Sequence, residues 1–264
     1  MEILLSTVTA LFYGAAIALV IPGLAHQHPI RRHPVLFAAG AALLCHGWLL
    51  HDLILTGGGQ NLSILNVASL ISFLIALATT IAIPRTRVWF LLPVVYSAAI
   101  LNELGAAFIP GNYLTHLQAN PSLLIHISLA LFTYATLMIA TLYAIQLVWL
   151  DYRLKNKKDL VPNPNLPPLM RIERQLFRLL LIGQAMLTIT LVTGLLFVQD
   201  IFAQGKAHKA ILSMLAWCVY SLLIWGHYQR NWRGRHAVWY SLIGAFLLTL
   251  AYFGSRFVKE VILS

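Results

Sequence analysis

Eight long apolar runs decide what this chain can become. They fall at about 3–22, 35–54, 63–83, 89–108, 122–150, 175–199, 209–228 and 237–256. Each is close to the ~20 residues that cross ~30 Å of hydrocarbon as a helix. Runs of that length and number exceed what one water-soluble core can bury. Inside a bilayer no water serves the backbone, so each N–H and C=O must be paired within its own segment, which a helix achieves. The expected fold is all-α: a polytopic membrane helix bundle of eight transmembrane helices, with residues 1–264 as a single transmembrane domain. The charge content agrees. Only 10% of residues are Asp, Glu, Lys or Arg, against about 25% in soluble domains. The first run opens on Met1-Glu2 without a positive leader, so a retained span is expected rather than a cleaved signal peptide.

The formal net charge is +10, which in a soluble chain would suggest a nucleic-acid partner. Here the cations sit in short segments between apolar runs, where they set topology, and no nucleic-acid binding is expected. Arg31 and Arg32 follow the first span, and Arg85 and Arg87 the third. Arg153, Lys155, Lys157, Lys158, Arg171, Arg174 and Arg178 surround the break after the fifth. Arg230, Arg233 and Arg235 follow the seventh, leaving only Lys206, Lys209, Arg256 and Lys259 for the other side. The positive-inside rule makes the basic loops cytoplasmic, and eight spans then put both termini outside. On that outer side "TGGGQNLS" (56–63) reads as a flexible turn, and "IPGNYLTHLQANPS" (109–122) as a longer loop. The 155–174 segment, with Pro162, Pro164, Pro167 and Pro168, reads as an extended linker leading into span six. Cys45 and Cys218 lie far apart in apolar runs without a CxxC, so buried free thiols are expected.

Ionisable groups inside spans are costly, and mark either function or a buried pair. His46 stands eleven residues beyond Val35, so ~16 Å into the bilayer. At that depth an imidazole still needs partners for one donor and one acceptor. It either packs against polar neighbours or ligates something. His51 and Asp52 sit nearer the surface, as an interfacial pair. Glu103 follows Asn102 in an otherwise apolar span, where a histidine partner or a bound proton lowers its cost, and a transporter built around it is conceivable. His126 falls about one turn into span five, with Ala130, Thr133 and Leu137 on its face and Tyr134 on the adjoining edge. Ala130 and Thr133 are small enough for a flat body or another helix to approach. The alternative for His126 is an interfacial histidine bonded to headgroups or a loop carbonyl. His227 stands at the inner end of span seven, and His26, His28, His33 and His236 lie in basic loops where solvation suffices. A phosphate-binding glycine loop, an HExxH helix, a serine elbow and paired carboxylates are all missing from the sequence. Histidines on separate helices suit one chemistry best: axial ligation of a haem iron within a bundle.

These stretches together are similar to a known family. "CHGWLLHDLILTGGGQNLSILNVASL" (45–70), "LLIHISLALFTYATLMIA" (123–140), "LPPLMRIERQLFRLLLIGQAMLTITLVTGLLF" (166–197) and "AWCVYSLLIWGHYQRNWRGRHAV" (216–238) resemble the CcsA/HemX-like cytochrome c assembly proteins. Within them, the YpjD-type branch of eight-span bacterial inner-membrane proteins is nearest. The resemblance runs from about residue 40 to near the end, with the motifs in the same order. It implies a bacterial inner (plasma) membrane protein that binds or conducts haem b without performing chemistry on it. It implies His46, ahead of "TGGGQNLS", and His227, ahead of "NWRGRH", as transmembrane ligands of the haem iron. It implies His126, opening "HISLALFTYA", as an external ligand.

The chain also departs from the family. The segment "FAQGKAHKAILSML" (202–215) lacks the tryptophans and acids of the family's external haem platform, though Lys209 stands where a lysine would. The tail "AYFGSRFVKE" (251–260) lacks the second external histidine, and no histidine follows His236. His46 near mid-span and His227 near a span end differ in depth by roughly 10–15 Å. Two ligands of one iron must be closer, so either span seven is shifted or the two do not share a metal. The leading expectation is a cytochrome c assembly membrane protein handling haem b through His46, His227 and His126. Its alternative is a non-haem accessory or regulatory membrane subunit that kept the fold. That subunit would dock on another inner-membrane protein through lipid-facing helices or the 151–174 linker.

Overall fold

The computed structural model describes residues 2–26, 28–56, 58–109, 111–155, 165–197 and 207–254. Eight helices are long and apolar enough to cross a membrane. They are α1 (Glu2–Ala25), α2 (Arg32–Ile54), α3 (Ile64–Ala82), α4 (Leu91–Phe108), α5 (Pro121–Lys155), α6 (Leu169–Phe197), α7 (Ala207–Arg230) and α8 (Arg235–Thr249), the last followed by a π-helical turn at Leu250–Gly254. The protein is thus an all-α polytopic bundle, as the apolar runs require. Lys157, Lys158, Lys206, Arg256 and Lys259, with the rest of 156–164 in the linker and of 199–206 in the loop before α7, lie outside the described residues.

The helices pack as two compact units, Met1–His116 with Lys157–Pro168, and Leu117–Asn156 with Leu169–Ser264. In the first, α1 packs on α2 and α4, and α3 on α4 and α2. The sequence of α1 shows why. Its buried residues Ser6, Thr9, Tyr13, Ala16, Val20 and Gly23 alternate steps of three and four, one narrow seam along the helix. The rest of α1 is equally apolar but faces outward, with Leu4 71% and Leu11 73% exposed, as a lipid-facing surface should be. Hydroxyls on the α3 seam return to their own helix: Thr79 and Thr80 donate to the carbonyls of Ile75 and Ala76. Two α3 hydroxyls also reach across: Thr80 Oγ1 accepts from the Tyr96 hydroxyl of α4 at 2.8 Å, and Ser69 Oγ meets His46 of α2 at 2.9 Å.

The turn expected at 56–63 is more ordered than that. Two short strands, β1 (Leu55–Thr56) and β2 (Gly59–Asn61), form an antiparallel hairpin, and β3 (Leu114–Thr115) pairs with β2. Gly59 is required here. Its φ is 145°, and a Cβ would sit 2.7 Å from the Thr115 carbonyl oxygen. Asn61 ties the two loops together: Nδ2 donates to Gly111 O at 2.8 Å, while Oδ1 accepts from Tyr113 N–H at 3.1 Å. At the opposite end of this unit Asn165 clips the chain after α1, donating to the carbonyls of Gly23 and His28, both at 2.8 Å.

In the second unit α5 packs along α6 and against α8, and α7 packs on α8 and α6. At 35 residues α5 outruns its expected span of 122–150. Its extra turn holds because Lys155 pairs with Asp151 at 2.7 Å and the Arg153 guanidinium lies over the Trp149 ring at 4.8 Å. Tyr220 of α7 is fully buried and lies flat against α8 at Gly244, where a Cβ would come within 2.5 Å of the ring. Cys45 and Cys218 are free thiols, but neither is buried as expected: Cys45 is half-buried and Cys218 exposed.

Candidate functional site

In the first unit His46 is fully buried and its hydrogen bonding is complete. Nδ1 shares a hydrogen bond with Tyr13 Oη at 3.2 Å, and Nε2 with Ser69 Oγ at 2.9 Å. The ring meets Phe73 and Tyr13 edge-on, at centroid distances of 5.3 and 5.9 Å. Tyr13 in turn packs against Tyr96, whose hydroxyl pairs with Thr80 Oγ1 at 2.8 Å. Seven residues beyond Tyr96 on the same face of α4, Glu103 is 0% exposed, and neither carboxylate oxygen has a hydrogen-bond partner. His51 and Asp52 form the exposed pair their position suggested, at 3.2 Å.

In the second unit His126 is half-buried on α5 and contacts α6. Its Nδ1 lies 3.0 Å from Thr193 Oγ1, and that hydroxyl spends its proton on the Thr190 carbonyl, also at 3.0 Å. Oγ1 is therefore an acceptor, Nδ1 carries the hydrogen, and the lone pair is left on Nε2. Gly194 lets the ring in: a Cβ there would stand 3.1 Å from Cε1. Small residues on this face do admit a close neighbour, and the neighbour is a helix. Thr133 bonds Thr190 across the interface at 3.2 Å, and Leu137 rests on Gly183. Tyr134, on the next edge, reaches Thr249 of α8 at 2.8 Å.

His227 ends α7 against the turn into α8. Its Nδ1 donates to the Trp232 carbonyl at 3.1 Å, which again places the lone pair on Nε2. Such an arrangement of donor and carbonyl orients ligating histidines in metal sites. The turn is built for it. Asn231 and Gly234 both take positive φ, 52° and 54°. The Trp232 indole lies directly on Gly226, where a side chain would collide with it, and Trp232 N–H bonds the Gly226 carbonyl at 3.1 Å. Phe177 of α6 stacks on the imidazole, with centroids 3.4 Å apart and planes 14° from parallel. Beside the ring opens a cavity of about 430 Å³, lined by Met170, Glu173, Arg174, Phe177, Arg178 and Leu181 of α6 with His227, Tyr228 and Arg233. Arg233 Nε sits 2.9 Å from Glu173 Oε1, an ion contact without hydrogen-bond alignment. Read from the sequence, these arginines are only topology charges. The four-residue step from Arg174 to Arg178, with Phe177 between, is the sequence signal for a shared face.

Each candidate histidine thus stands in its own setting. His126 lies near the start of α5 and His227 near the end of α7, both helices entering from the same side. They are about 20 Å apart in depth, at ~1.5 Å per residue. Among the described residues, no three His, Cys, Asp or Glu side chains converge as a metal cluster would need.

An eight-helix membrane protein with isolated histidines is the class this architecture defines. The family follows from comparison. The family model for the cytochrome c assembly protein matches residues 36–263. The chain is 50% identical over 252 residues to the inner membrane protein YpjD of Escherichia coli K12, covering 95% of each chain. It is also 33% identical over 141 residues to an uncharacterized 28.8 kDa protein of Azospirillum brasilense, about half of each chain. No solved structure matches. This chain belongs to the cytochrome c assembly family.

Proposed function

We propose that the protein binds or hands on haem b in a bacterial inner membrane, with its basic loops cytoplasmic and both termini outside. The observation that carries the reading is the Nδ1–H to Trp232 carbonyl bond, which leaves His227 Nε2 as a lone pair beside a cavity. The donor set fits a haem iron there: one neutral imidazole, held in orientation, with an aromatic ring stacked behind it. Bound haem would supply an iron centre for ligation and electron exchange, and this chain would hold it without acting on it. His126, whose Nε2 is likewise the lone-pair nitrogen, is a second single-histidine candidate. His46 can join only by giving up Tyr13 or Ser69, because both of its nitrogens are engaged.

The reading is tested on protein purified after expression with ample haem, by absorbance spectra in the oxidised and reduced states. A Soret band lost in His227→Ala is expected. A wild-type preparation that stays colourless after added haemin would end the proposal. Reporter tags at the two termini are expected to be accessible only from outside the cell membrane.

A second reading keeps its place through the missing tryptophan platform and the closed donor set of His46. There the protein is a non-haem accessory subunit docking on another inner-membrane protein. A stoichiometric, colourless complex would establish it; a clean preparation free of any partner would remove it.

A further inference from the structure

The cavity beside His227 carries more positive charge than topology alone needs. Arg174, Arg178 and Arg233 all line it, and the single lining carboxylate, Glu173, contacts Arg233. Arg174 and Arg178 are therefore left over, one helical turn apart on α6. Among the described residues neither meets a carboxylate. Two like charges on one helix face repel each other. Between them Phe177 turns inward onto His227, while Met170 and Leu181 supply an apolar border to the same cavity. The site therefore offers two guanidinium forks, an apolar wall and a lone-pair nitrogen. A phosphate headgroup would use the forks and leave His227 Nε2 idle. A flat apolar body carrying two carboxylates and a metal would use all three features.

We infer that Arg174 and Arg178 are the carboxylate anchor of this site, taking the two propionate groups of a porphyrin whose iron His227 holds. The inference rests on the haem reading, and adds what the ligand must carry and which way round it sits. Its carboxylates face the arginine-rich helix end, and its apolar edge faces the bundle. Guanidinium forks match carboxylates in paired, charge-assisted hydrogen bonds, so the anchor discriminates by acid groups and the histidine by metal. The two contributions can be separated.

Metal-free protoporphyrin IX and its dimethyl ester serve as probes, added to the full-length protein in lipid nanodiscs and followed by fluorescence. Wild type is expected to bind the diacid more tightly than the ester. Arg174→Gln and Arg178→Gln should each weaken diacid binding roughly tenfold, as loss of a charged hydrogen bond does, and leave the ester unchanged. His227→Ala should abolish the ligated haemin spectrum, while the preference for the diacid over its ester remains. Arg171→Gln, on the same helix end but outside the cavity lining, is the control and should change neither. If the arginine variants bind the diacid as wild type does while haemin still ligates through His227, the anchor is wrong and the haem reading stands. If they shed co-purified phosphatidylglycerol, seen by native mass spectrometry, without loss of diacid, the site is a lipid headgroup site and the inference falls. If wild type binds neither haemin nor diacid, both fall together.

Discussion

His46→Leu is expected to destabilise the first helical unit by about 2–5 kcal/mol, the cost of two buried polar groups left without partners at ~1–3 kcal/mol each. Tyr13 Oη and Ser69 Oγ are those groups, and both residues are 0% exposed. Hydrogen bonds between membrane helices average only ~0.6 kcal/mol, because the groups usually find substitutes. Here substitutes are scarce, since the next polar group along the row, the Tyr96 hydroxyl, is already paired with Thr80. The control removes the polar groups together. Tyr13→Phe and Ser69→Ala added to His46→Leu should recover at least half of the loss, since nothing is then left unsatisfied. Thermal unfolding in detergent reads the stability, and the Soret absorbance per folded protein reads ligation. A stable His46→Leu protein that loses its absorbance would make His46 a ligand, and would require its ring to leave Tyr13 and Ser69.

That test separates two meanings of a histidine in a span which the residue alone cannot distinguish. A mid-span imidazole must have two partners, and the sequence makes that demand plain. What it hides is that the partners are thirty-three residues before and twenty-three after, on other helices. The helices themselves were legible because lipid leaves a long apolar run no other structure. The expected spans agree with the helices to within a few residues, except where polar residues prolong α5 and α6. The three-stranded sheet was not legible. Glycine-rich "TGGGQNLS" has no strand propensity, and its pairing depends on Leu114–Thr115 arriving from another loop. The lone pairs of His126 and His227 were equally hidden, because each is fixed by one acceptor: a threonine hydroxyl across a helix interface, and a carbonyl in a turn with two positive φ angles.

Gly183→Ala should loosen the α5–α6 seam of the second unit at a cost of about 2–4 kcal/mol. Overpacking a tight contact costs roughly 1–3 kcal/mol, and two interhelical hydrogen bonds of ~0.6 kcal/mol depend on the same spacing. A Cβ at Gly183 would lie 2.5 Å from Leu137 Cδ2 and 2.8 Å from Cγ. Cγ is the branch point of a side chain that is 0% exposed, so it cannot swing aside and the helices must part. Further along the same seam, Thr133 meets Thr190 and His126 meets Thr193 beside Gly194. Each of these contacts needs α5 and α6 at their present distance. Leu137→Ala alone opens a hole and should also destabilise, by ~2–5 kcal/mol. In the double variant the new methyl group fills part of that hole. The coupling between the two changes should therefore favour the double variant by about 1–3 kcal/mol. Simple additivity of the thermal shifts would mean that α5 and α6 do not meet at this pair, and the close helix approach that orients His126 would lose its physical basis.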